Sequence, residues 1–132
     1  MFQVTNTTSP NLIHSELLEI QEFLEASYPS DNPAACIDRL QELDVKIARS
    51  GKLLADAEYH YNQVVGSSII TALKDAMSEK ISTSTLNKYV EAQAKDYRHL
   101  VTFADRVNRS ATHAADHLRT IISFTKQQMN IR

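Results

Sequence analysis

The chain contains no tryptophan, one cysteine, two glycines and three prolines in 132 residues. So few breakers cannot supply the turn every 8–12 residues or so that an all-β sandwich needs, nor the glycine-rich loops of a doubly wound sheet. The lone Cys36 closes no intrachain disulfide, which fits a reducing compartment. No window approaches the roughly 20 apolar residues of a membrane span. The densest, Val64-Val65-Gly66-Ser67-Ser68-Ile69-Ile70, is too short. Residues 1–10 show no basic segment followed by an apolar one, so they do not read as a signal peptide, and the expected location is the cytoplasm. With 42% hydrophobic and 23% charged residues there is enough aliphatic surface for a core. A single all-α domain over 11–132 is the expectation, preceded by a flexible arm at 1–10.

The apolar spacing predicts three helices, at about 11–28, 33–80 and 83–129. The first is short, with Leu12, Ile13, Leu17, Leu18, Ile20, Phe23 and Leu24 on one side and Glu16, Glu19, Glu22 and Glu25 on the other. Asn32 and Pro33 suit an N-cap and a first helical position. In the second helix Cys36, Leu40, Leu43, Ile47, Ser50, Leu54, Ala57 and Tyr61 follow the 4-3 spacing of a heptad seam. The stripe then runs in fours through Val65, Ile69, Leu73 and Ala76, a stutter. The heptad phase passes through Gly51 unchanged, which favours one continuous helix. Ser82-Thr83-Ser84-Thr85 reads as the turn. The third helix repeats the seam through Leu86, Val90, Gln93, Tyr97, Leu100, Ala104, Val107, Ala111, Ala114, Leu118, Ile121 and Thr125.

Two long segments of nearly equal length, each spanning roughly 70 Å, joined by a short turn, form an antiparallel hairpin. Flanking apolar positions such as Val101, Phe103 and Ile122 make the third-helix seam too wide for two strands, so a further helix or a second subunit is expected on it. The first helix is too short to cover all of it. The remainder is expected to form a homo-oligomer or to hold another protein.

The net charge of −2 hides an asymmetry. Residues 1–82 hold six Lys/Arg against twelve Asp/Glu, and residues 83–132 hold eight against four. Lys95, Arg98, Arg106, Arg109, His113, Arg119 and Lys126 fall on the outside of the third helix and are the candidate contacts for a partner or a nucleic acid. Glu91, Asp105 and Asp116 interrupt the row, and no aromatic residues interleave with it as a single-strand stacking platform requires.

No phosphate loop, nucleophile elbow or pair of catalytic carboxylates occurs, so no enzyme and no cofactor are expected. His113 and His117 are one turn apart, yet a zinc site needs further ligands and the motif lacks the glutamate of metalloprotease helices. Asp96-Tyr97-Arg98-His99 has no second copy in phase, as a di-iron bundle would require. Tyr61 and Cys36 fall on the seam and read as core.

The stretches Ala57-Glu58-Tyr59-His60-Tyr61-Asn62, Leu100-Val101-Thr102-Phe103-Ala104-Asp105-Arg106-Val107-Asn108-Arg109-Ser110-Ala111-Thr112-His113 and Leu118-Arg119-Thr120-Ile121-Ile122-Ser123-Phe124-Thr125-Lys126-Gln127-Gln128-Met129 resemble a group of small helical proteins encoded in bacteriophages and prophages. The resemblance covers mainly residues 40–129 and implies a phage or prophage origin near recombination and replication genes, hence a bacterial host cytoplasm. It implies no activity or site residues. The functional expectation is a non-enzymatic helical protein that holds or modulates a partner protein. The alternative is a nucleic-acid-binding accessory using the basic outer face of the third helix. On that outer and flanking surface the sequence places Arg106, Asn108, Arg109, Ser110, Thr112, His113 and Arg119.

Overall fold

The structure, a computed structural model, describes residues 2–4, 6–76 and 81–130. Three helices follow one another, α1 (Pro10–Glu25), α2 (Pro33–Ala76) and α3 (Thr83–Asn130), and no strand occurs among the described residues. Local chemistry sets the starts. The Asn32 carboxamide oxygen accepts from the N–H groups of Ala34 at 3.0 Å and Ala35 at 3.3 Å, with Pro33 in the first helical position. The Ser82 hydroxyl accepts from the Thr85 N–H, so Thr83 to Thr85 form the first turn of α3 and not a loop.

α1 stops at Glu25, three residues short of the end its apolar spacing predicts. Ala26 leaves the helical region, and its N–H closes onto the carbonyls of Glu22 and Phe23. From α2, Arg39 donates to the carbonyl oxygens of Phe23 at 2.7 Å and Ala26 at 3.4 Å, covering acceptors that a helix end leaves open. Its guanidinium lies about 4.2 Å from the Phe23 ring centroid and 4.3 Å from that of Tyr28. α2 runs unbroken through Gly51 and Gly66. Residues 77–80 of the predicted second helix lie outside the described residues, as does the side chain of Ala76, the last residue of its predicted stripe.

Cross-links between the long helices run in opposite order: Asp44 to Arg119, Ser50 to Asn108, Tyr61 to Arg98. The molecule is therefore an antiparallel hairpin of α2 and α3. α1 lies antiparallel to α2, with Glu16 at Arg49 and Phe23 at Arg39. Two core clusters result. Ile13, Leu17 and Ile20 of α1 meet Leu53, Ala57, Leu100, Ala104 and Val107, while Cys36, Leu43, Ala111, Ala115 and Leu118 form the second.

The seam residues fall along this core. Leu43, Leu100, Val107 and Leu118 are buried, and Leu40, Ile47, Leu54, Tyr61, Leu86, Val90, Tyr97 and Ile121 are half-buried. Leu53 is missing from the predicted stripe and is fully buried, because α1 covers the flank where it projects. Beyond Tyr61 the stripe departs from expectation. Ser68 and Ala72 are buried while Ile69 and Leu73 remain exposed, and on α3 Ala94 replaces Gln93 in the interface. Small side chains occupy the buried positions here, and the larger aliphatic ones lie to the side of the contact.

Residues 6–9 do not stand free, as a flexible arm would. The Thr8 N–H donates to Asp56 at 2.9 Å, and the Thr8 carbonyl, which can only accept, takes a bond from His60 Nε2 at 2.7 Å. Lys52 donates to the Asn6 carbonyl and to Asp56, and Arg49 reaches the Thr8 hydroxyl and Glu16. Burial opposes the Asp56 charge, but the Lys52 ammonium and the Thr8 N–H and hydroxyl outweigh it and hold the carboxyl below its ordinary 3.8. A lowered folded value means that this stabilisation is complete above the unfolded value and disappears as pH falls through the folded one. The protection factor of the Thr8 amide, taken relative to the intrinsic exchange rate at each pH, is thus expected to be high at pH 6 and to fall below pH ~4, before the bundle melts. Protection that is independent of pH down to global unfolding would assign the strap to other bonds.

Candidate functional site

The basic residues of α3 do not form one site. Arg98 donates to the Tyr61 hydroxyl at 3.1 Å, and that bond raises its guanidinium value. Arg109 pairs with Asp105 at 3.1 Å, and Arg119 pairs with both Asp44 at 3.0 Å and Asp116 at 3.1 Å. Lys95, Arg106, His113 and Lys126 are exposed and make no ion pair among the described residues. From Lys95 to Lys126 the row extends over roughly 46 Å of helix, alternating paired and unpaired charge.

Asn108 is a correction to the surface reading. Its amide points into the hairpin, donating to the Ser50 hydroxyl at 2.9 Å and the Ile47 carbonyl at 3.2 Å, and Ser50 in turn donates to Ile47. Ser50 is fully buried, and among the described residues no buried side-chain polar atom lacks a partner. A serine on the predicted seam signalled that a partner must exist. Its identity needs the hairpin register.

No group of three or more His, Cys, Asp or Glu among the described residues is arranged to hold a metal ion. His113 and His117 both face solvent, and Asp116 is engaged by Arg119. Asp96 and His99 border a shallow cleft beside His14 at the start of α1. Cys36 is buried, with its sulfur 3.5 Å from the Ser30 carbonyl.

The extent of α1 is what divides the molecule. Among the described residues, the hydrogen bonds from α1 and the segment before it reach along α2 as far as His60, and the cleft at the start of α1 meets α3 at Asp96. Residues 61–76 of α2, roughly 24 Å of helix, therefore continue as a two-helix arm. On this arm Ile69, Ile70 and Leu73 are 44%, 56% and 54% exposed, whereas Ile13 and Leu17 of α1 and Leu53 beneath them are at 0%. An open groove of about 590 Å³ runs along the arm, floored by Tyr61, Val65, Ile69, Val90 and Ala94. Lys88, Lys95 and Arg98 edge it from α3, with Glu91 among them. No helix of the described residues is long and apolar enough to cross a membrane. Comparison with protein-family models, with curated proteins and with solved structures found no match to this chain.

Proposed function

We propose that the chain is a non-enzymatic interaction protein that holds or modulates another protein through its helical surface. The observation that carries this reading is the exposed aliphatic cluster Ile69, Ile70 and Leu73 on an arm beyond the part of the hairpin that α1 packs against. Single exposed hydrophobics are ordinary on a protein surface, whereas several together on one element mark a contact surface. The base of the hairpin also leaves Ile37, Phe124 and Met129 in solvent. A chain with two such ends can self-associate through the base and present the arm. The resemblance to phage and prophage proteins sets this role in a bacterial cytoplasm, in phage recombination or replication or against a host factor.

Nucleic acid is the rival partner, and the pairing of Arg98, Arg109 and Arg119 within the chain weighs against it. Light scattering on a size-exclusion column at low salt, with and without single- and double-stranded oligonucleotides, tests the reading. The expected result is an oligomer that ignores both, and whose mass drops with Phe124→Glu. Co-elution with an oligonucleotide, lost between roughly 50 and 200 mM salt and abolished by Arg106→Glu with Arg109→Glu, would overturn it.

A further inference from the structure

We infer that the groove on the open arm is a docking site for an acidic amphipathic helix of another protein, an inference that rests on the protein-binding role proposed above. At about 100° per residue, Tyr61, Val65 and Ile69 lie on the side of α2 away from Arg49, Asp56 and His60, which hold the N-terminal segment. The groove is therefore a surface separate from the one that α1 fills. Residues spaced four apart along α2 present an apolar ridge more than two turns long, and Val90 and Ala94 supply the opposite wall. That shape is the one into which a helix lays an apolar stripe.

Charge selects the kind of helix. Three cations and one carboxylate edge the groove, and neither Lys88 nor Lys95 forms an ion pair among the described residues, although Glu91 is one turn from each. Both ammonium groups are thus available to carboxylates on an incoming helix. An apolar floor suits an amphipathic helix better than a phosphate backbone, which would leave that floor uncovered. The hairpin already accepts one helix of this chemistry within its own chain. α1 buries Ile13, Leu17 and Ile20 against it, while Arg49 at the margin takes Glu16 at 2.6 Å. On the arm, the same combination of aliphatic floor and cationic margin has no helix of the described residues over it.

A fluorescein-labelled peptide of residues 10–28 of this chain serves as the model acidic helix, titrated into the full-length protein by fluorescence anisotropy. Saturable binding is expected, with hydrogen-exchange protection over residues 61–73 and 87–98. It should weaken about tenfold, the order of one strong local contribution, with Ile69→Glu and again with Lys88→Glu plus Lys95→Glu. All these positions are exposed, and unchanged circular dichroism melting confirms that the variants fold. A peptide with glutamine at its four glutamates should bind correspondingly less. Binding that survives every arm variant, with protection at Leu53 and Leu100, would mean that the peptide displaces α1 and would overturn the inference. So would equal binding of the glutamine peptide. Absence of binding, with an oligomer broken by Ile69→Glu, would assign the groove to a second copy. That outcome overturns the inference while leaving the protein-binding role standing, whereas oligonucleotide co-elution removes the role itself.

Discussion

Replacing Leu17 with alanine is expected to lower the unfolding free energy by about 3 kcal/mol, within the usual range for a fully buried leucine. For a domain of this length that corresponds to a drop in Tm of roughly 10 °C. Leu17 is at 0% exposure in the cluster that joins α1 to Leu53 and Ala57 of α2 and to Leu100, Ala104 and Val107 of α3. Its loss takes away transfer free energy and leaves a cavity among three helices whose positions are fixed by other contacts. Leu12, on the same helix but 51% exposed, is the internal control, and its alanine variant should stay within about 0.5 kcal/mol of wild type. Urea denaturation followed by circular dichroism checks both. Equal small effects would mean that α1 is an appendage that frays independently, and the hairpin would then be the whole folding unit.

Much of this architecture is legible in the residues. Two nearly equal heptad runs separated by hydroxyl-rich residues specify an antiparallel hairpin, and Asn32-Pro33 marks where the second helix begins. The width of the third-helix seam correctly calls for another helix, and α1 occupies that flank against Phe103 and Val101. What the pattern does not carry is which flank. A heptad stripe locates the contact between two helices but not the direction from which a third arrives, so Leu53 reads as surface until α1 is placed beside it. The arm fails for a related reason. Periodicity assumes that the largest aliphatic residues face the partner, whereas here Ser68 and Ala72 are the buried positions and Ile69 and Leu73 stay exposed. The strap on Thr8 escapes because it depends on contacts 48 and 52 residues away in sequence, to Asp56 and His60. The groove inherits both gaps: its floor combines residues read as interior with a face left open because α1 packs elsewhere on the hairpin.

Substituting Asn108 by alanine is expected to cost about 1 kcal/mol, since the fully buried Ser50 loses its hydrogen-bond partner and the half-buried amide leaves space behind. The more informative change removes the whole network. Ser50→Ala combined with Asn108→Leu replaces polar groups by apolar ones of similar shape, which is often close to neutral in stability. Its effect should appear in register. Leu43, Ser50 and Ala57 repeat at intervals of seven, as do Ala104, Ala111 and Leu118, so apolar packing penalises a slip of one heptad only weakly. In a slipped hairpin the Asn108 amide would face Leu43 or Ala57 in place of Ser50 and would lose the side-chain hydroxyl that accepts its hydrogen bond. A buried polar pair thereby selects one alignment from several, a role established for asparagine in coiled coils. Spin labels at Ala48 and Thr112, with Cys36 replaced by alanine, measure the outcome by electron–electron double resonance. The otherwise native chain should give one distance. The double variant should add a population displaced along the axis by roughly 10 Å, one heptad of helix rise. A single unshifted distance in the double variant would show that side-chain packing alone sets the register, leaving Asn108 a contribution to stability only.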